Sequence, residues 1–322
     1  MSETAPVAAP TESRATSLFV ADSFPRRRGL VVLLSLIAGF LAAYAWSAQF
    51  VDHEIGFNTA DALLGHNPET TPIGGVAAGV VFAFVTGLAG SFTACNIAVF
   101  GAVGPLVGQK ESRRKRLLHT VKPLGWMAVG MIPVSALYGV IVGLAGTHMP
   151  QFSATRGATG ELSPRIAQAM ITFGSIGLVM ILLGLAALGV IRDPLAAASR
   201  RFRNAPLVLM GVLAGAFLIG RPYPLFRNLF RHAATTHDPL YGAVAFTLQS
   251  IGNVLVMAVL FILLSYGLGG RLQRWLAAEP GRAATLTASA FLVTGFFTLI
   301  YWTVRILGRL DYIWFPTAPW NN

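Results

Sequence analysis

Cys95 is the only thiol in the 322 residues, and it sits in a glycine-studded apolar run, Gly87 to Pro105, that contains no charged side chain. A lone sulfur in such a setting supports three kinds of chemistry. It can serve as a small apolar side chain packed between helices, where free cysteine is inert. It can form a mixed disulfide with a partner protein, which requires access and a lowered pKa; no basic residue lies close in sequence to lower it. It can ligate a metal or haem, although no accompanying ligand motif or haem-attachment pair is present. A full thiol–disulfide cycle needs a second sulfur, so this chain cannot complete one alone.

Asn96, Gln249, Ser250 and Asn253 place amides and a hydroxyl inside apolar segments, with Gln249 and Asn253 four apart on one helix face. Together, Asn96, Gln249 and Asn253 can line a polar path through a membrane. Equally, they can act as interhelical hydrogen bonds worth about 0.6 kcal/mol each. Arg221, Arg227 and Arg231 cluster around Pro222 and Pro224, which break the apolar pattern. Their partners are anionic headgroups, an anionic substrate, or the acidic stretch that holds Asp52, Glu54, Asp61 and Glu69. His53, His66, His148, His232 and His237 fall in loops and match no metal-ligand spacing, which leaves a metal site unassigned. The phosphate, dinucleotide, zincin and nucleophile-elbow signatures are all missing, so no cofactor is expected. Whether the chain is an enzyme stays open.

These residues belong to a polytopic pattern. Hydrophobic residues make up 54%, charged residues 11%, and the mean hydropathy is +0.63. Seven apolar segments are expected, at about 29–49, 73–107, 123–146, 165–191, 205–220, 241–268 and 284–307. The second is too long for one straight crossing, and its glycines and Pro105 supply a break. Arg26, Arg27 and Arg28 precede the first segment, which keeps the N-terminus cytoplasmic; if the segments then alternate, the cytoplasmic side holds 17 of the 24 Lys and Arg. That loop bias accounts for the net charge of +11, so no nucleic acid is called for. The lipid bilayer is the first partner implied.

The resulting fold class is all-α, a membrane helix bundle of about seven transmembrane helices. Residues 1–28 read as a disordered cytoplasmic tail, 29–49 as a retained N-terminal anchor rather than a signal peptide, 73–307 as a six-helix membrane domain, and 308–322 as an external tail. Ser163-Pro164 and Lys122-Pro123 look like helix starts, and Asp193-Pro194 suggests a short interfacial helix. Gly75/Gly79 and Gly211/Gly215 predict close helix contact. They also suggest two three-helix repeats of opposite insertion after the N-terminal helix. Setting Gly87 against Gly215 pairs Cys95 with Tyr223, both at interrupted helices.

The stretch Ala83 to Gly101, with Ser91-Phe-Thr-Ala-Cys95, resembles the first helix of the transmembrane disulfide-relay proteins of cytochrome c biogenesis, CcdA and the membrane domain of DsbD. The resemblance covers about 73–307. It implies a bacterial inner-membrane protein with an external C-terminus that carries reducing equivalents, through a thioredoxin-like thiol partner, or a small solute. The family's motif has proline where this chain has Ala94, and its second cysteine falls at Tyr223 here. That departure raises an alternative: a redox-inert subunit of a larger membrane respiratory or biogenesis complex.

Overall fold

The computed structural model describes residues 17–21, 23–47, 50–68, 70–90, 113–152, 162–221, 224–279 and 281–321. Among them every regular element is helical. The helices are α1 (Arg28–Ala45), α2 (Asn58–Leu64), α3 (Val76–Ala89), α4 (Arg113–Ala145), α5 (Pro164–Ala187), α6 (Ala196–Arg201), α7 (Ala205–Gly220), α8 (Pro224–Thr236), α9 (Pro239–Ala277), α10 (Arg282–Leu299) and α11 (Arg305–Arg309). A π-helical turn, Ile300–Val304, joins the last two.

Five stretches are long and apolar enough to cross a membrane: Arg28–Ala45, Val121–His148, Pro164–Ala187, Pro239–Leu263 and Arg282–Arg309. Their outward faces carry bare aliphatic side chains such as Leu137, Leu144, Ile171 and Leu263, which water would penalise and lipid accepts. The other two expected segments contain α3 and α7, of 14 and 16 residues. At 1.5 Å per residue these are about 21 and 24 Å long, short of a hydrocarbon core of about 30 Å. The axes of α7 and α8 meet at 79°.

Several local expectations hold. Ser163 caps α5, its hydroxyl accepting from the Ile166 amide at 3.4 Å, with Pro164 at the first position. Asp193 accepts from the Leu195 amide at 2.9 Å ahead of the short α6. Asp238 plays the same part for α9, accepting from Leu240 and Tyr241. Three expectations are corrected. Pro123 does not start a helix: α4 begins at Arg113 and carries Pro123 and Pro133 in its interior. Gly75 packs on nothing and instead takes φ +109° to cap α3, while Gly79 makes the close contact, against Tyr241. The tail is not wholly free either. Phe19 is 3% exposed in the main core and meets Phe291 edge-on at 5.1 Å, and the Ser17 amide donates to Asp193 at 2.7 Å.

Backbone-to-backbone crossings at glycines fix the packing. Gly79 abuts Tyr241 and Gly87 abuts the Gln249 carbonyl, so α3 and α9 run parallel. Gly211 and Gly215 abut the Met127 and Met131 carbonyls, which makes α7 parallel to α4. Gly139 meets Gly242 and Gly143 meets Pro239, so α4 opposes α9; Gly177 and Gly295 touch where α5 opposes α10. Small residues permit this approach, and side-chain-free contact supplies the dispersion energy that lipid cannot.

The connections sort to two ends. At one end, Phe24 packs on Gly189 and Gly281, and Arg28 donates to the Gly189 carbonyl at 2.9 Å. At the other, Asn228 donates to Pro68, His237 lies against Gly146, and the Trp320 indole donates to Ala45. Arg305, 2% exposed, donates to the carbonyls of Ala43 and Trp46 at 2.9 and 3.0 Å, tying the end of α1 to α11.

Candidate functional site: a junction of two interrupted helices

A helix that stops inside an apolar bundle strands its last carbonyls, and hydrocarbon offers no water to satisfy them. Both short helices meet this problem, and polar side chains meet it for them. Beyond the end of α3, the Gly90 carbonyl accepts from Arg221 Nη2 at 2.9 Å. Near the end of α7, the Ile219 carbonyl accepts from Gln168 Nε2 at 2.7 Å and from the Gln151 side-chain amide. Gln168 also donates to the Tyr138 hydroxyl at 3.3 Å. The residue that follows α7 therefore binds the residue that follows α3, and the two interruptions are joined in space.

A polar layer lies beside this junction. Gln249 is 2% exposed, and its amide oxygen and nitrogen are both buried without a hydrogen-bond partner among the described residues. It is ten residues into α9, about 15 Å along the axis and thus near the middle of a bilayer core. The next residue, Ser250, pairs with Ser135 of α4 through their hydroxyls at 2.7 Å. Thr86 is fully buried and returns its hydroxyl to the Ala83 carbonyl at 2.9 Å. Asn253 is half-buried one turn beyond Gln249.

Of the residues singled out from sequence, Gln249 and Asn253 share this layer, while Cys95, Asn96 and Tyr223 lie outside the described residues. Gly90 lies five residues before Cys95, and Arg221 and Pro224 flank Tyr223 along the chain. Sequence reasoning missed Ser135, Tyr138, Gln151 and Gln168. Gln168 carried a usable signal, as an amide one turn into an apolar span, but nothing in sequence pointed it at Ile219.

The amphipathic α8 forms a second polar region. Leu225, Phe226, Leu229, Phe230, Ala233 and Ala234 are fully buried on one face, and Asn228, Arg231 and His232 occupy the other. His232 Nδ1 lies 2.8 Å from the Tyr241 hydroxyl, and burial pushes the imidazole pKa below its ordinary value. Among the described residues, no three His, Cys, Asp or Glu side chains converge as metal ligands. His148 turns to its own helix end at Ala145, and His237 turns to the Thr235 carbonyl.

Compared with family models, curated proteins and solved structures, the chain matches none.

Proposed function

We propose that this chain is a membrane carrier of the disulfide-relay type, in which two oppositely inserted halves, α3–α4–α5 and α7–α9–α10, alternate access around the joined helix ends. The observation that carries this reading is the Arg221 to Gly90 hydrogen bond, because an intramembrane cation at a pair of helix breaks marks a transport or reaction site by default.

The exchange of halves is supported by doubled contacts. Gly87 sits on the Gln249 carbonyl and Gly252 on the Phe84 carbonyl; Gly211 sits on the Met127 carbonyl and Gly130 on the Val208 carbonyl. Swapping α3 for α7 and α4 for α9 turns the first pair of contacts into the second. Gly177 against Leu299 becomes Ile181 against Gly295 when α5 and α10 are swapped. This register aligns Gly87 with Gly211, one helical turn from the Gly87–Gly215 alignment, so Ile219 rather than Tyr223 corresponds to Cys95.

On this reading Arg221 supplies the cation that the sequence around Cys95 lacks. It is held at Gly90, five residues before Cys95 in sequence, and a cation beside a thiol favours the thiolate. The thiolate attacks the disulfide of one partner and releases a partner thiolate. A dithiol of thioredoxin type then attacks Cys95 sulfur, freeing the first partner's second thiolate, and its own second thiol displaces Cys95. The first partner ends reduced, the dithiol oxidised, and Cys95 regenerated. Gln249 and Asn253 line the path for a hydrogen-bonding solute or for water. The end bearing Arg26–Arg28, Arg192 and Arg200 faces the cytoplasm of a bacterial inner membrane, and the C-terminus lies outside.

Trapping with a maleimide tests this reading. Cys95 should label in a redox-dependent manner in native membranes. Cys95→Ser should lose the mixed disulfide and lower c-type cytochrome levels, and Arg221→Gln should slow labelling. Redox-independent labelling, unchanged cytochromes and stoichiometric co-purification with a large assembly would replace the carrier with a redox-inert subunit.

A further inference from the structure

The polar face of α8 closes a cavity at the end of the molecule opposite the N-terminus. Its volume is about 270 Å³, with Thr70–Ile73 on one wall and Asn228, Arg231 and His232 on the other. Among the described residues no carboxylate lines it. Arg231 lies with its guanidinium over the Phe152 ring at 5.8 Å, and its Nε is buried without a hydrogen-bond partner. Arg165, at the start of α5, is close enough to repel it, and neither arginine is ion-paired among the described residues. Two neighbouring half-buried cations repel each other unless an anion joins them.

The neighbouring groups can act as donors. If the Tyr241 hydroxyl donates to His232 Nδ1 at 2.8 Å, the neutral ring carries its hydrogen on Nε2. Thr70 and Thr71, which carry hydroxyls, line the cavity from the loop that leads into α3. Guanidinium, imidazole N–H and two hydroxyls on opposed walls suit a tetrahedral oxyanion, which presents acceptors in every direction. The cavity is smaller than the roughly 300–1,000 Å³ of ordinary small-molecule sites, which favours a compact anionic group.

We propose that this cavity binds a phosphate group through Arg231, His232 and the Thr70–Thr71 hydroxyls. Its rim position, between the loop that leads into α3 and the helix that joins α7 to α9, gives it two sources of that chemistry: the headgroup phosphate of an anionic phospholipid, or a free phosphate from the aqueous side. The assignment goes beyond the carrier reading, since it depends on neither Cys95 nor the helix junction.

The full-length protein, purified in detergent, is titrated with inorganic phosphate at constant ionic strength, with chloride as the control, while thermal unfolding is followed. In parallel, native mass spectrometry counts retained lipid from phosphatidylglycerol and from phosphatidylcholine nanodiscs. Wild-type protein should gain several degrees in Tm with phosphate, or retain phosphatidylglycerol in preference to phosphatidylcholine. Stabilisation by phosphate alone identifies a solute site, and selective lipid retention alone identifies a headgroup site. Arg231→Gln should weaken the effect about tenfold or more, Arg231→Lys should restore part of it, and Arg200→Gln, which removes an exposed charge on α6, should leave it intact. Arg200→Gln and Arg231→Gln weakening it equally, or no response to either ligand in folded wild-type protein, would overturn the assignment.

Discussion

Where α7 crosses α4, Gly211 rests on the Met127 carbonyl and the surroundings are apolar: Met127, Met210 and Leu213 are all buried. Where α3 crosses α9, Gly87 rests on the Gln249 carbonyl, and the buried neighbours include the Gln249 amide, Ser250 and Thr86. The backbone contact is the same in both places, yet the side chains differ in polarity. A bundle that needed only stability would have kept both crossings apolar, because an unpartnered amide in hydrocarbon costs free energy and stabilises nothing. On the carrier proposal, this difference marks α3 and α9 as the working side of the molecule.

The strongest way to break the comparison is to remove what the two crossings share. Gly87→Val and Gly211→Val should each cost about 3 kcal/mol or abolish folded protein, since either side chain meets a neighbouring carbonyl. Gly29→Val, with open space around it, should be nearly neutral in the same thermal unfolding assay. Sensitivity at one crossing only would disprove their equivalence.

Exchanging what differs should give opposite signs. Gln249→Met relieves two unsatisfied buried atoms, so it should raise stability by about 1 kcal/mol while impairing transport or relay activity. Met127→Gln should lower stability by about 1–3 kcal/mol through an unsatisfied amide in an apolar setting. If Gln249→Met lowers stability and activity together, the amide serves packing alone.

The smallest effect belongs to the hydroxyl pair. Ser135→Ala and Ser250→Ala, combined in a double-mutant cycle, should reveal a coupling of about 0.6 kcal/mol, as for other interhelical hydrogen bonds in membranes. A coupling near zero would mean that the two hydroxyls do not exchange a hydrogen bond in the bilayer.

Much of the framework was legible from residue order. Apolar length placed α1, α5, α9 and α10, because a backbone in hydrocarbon must satisfy itself as helix. The Ser163 cap was readable because capping is local, the hydroxyl reaching an amide only three residues on. Pro123 misled because an interior proline and a first-turn proline look alike in sequence; only the residues before it, Arg113 onward, being helical decides the case. Phe19 was invisible in a tail rich in Ala, Ser, Thr and Pro, since nothing local signals that one aromatic ring will enter a core formed by α4, α5, α7, α9 and α10.

The site divides in the same way. Gln249 stood out as an amide in an apolar run, and Arg221 as a cation beside two prolines, because burial of a polar group can be inferred from its neighbours in the chain. Which carbonyl each would meet could not be, since Arg221 and Gly90 lie 131 residues apart and Ser135 and Ser250 lie 115 apart. Hydropathy alone therefore determined that this chain forms membrane-length helices and places polar atoms among them. Tertiary packing decided that two stopped helices share one junction, because hydrogen bonds act over about 3 Å in space and are blind to distance along the sequence.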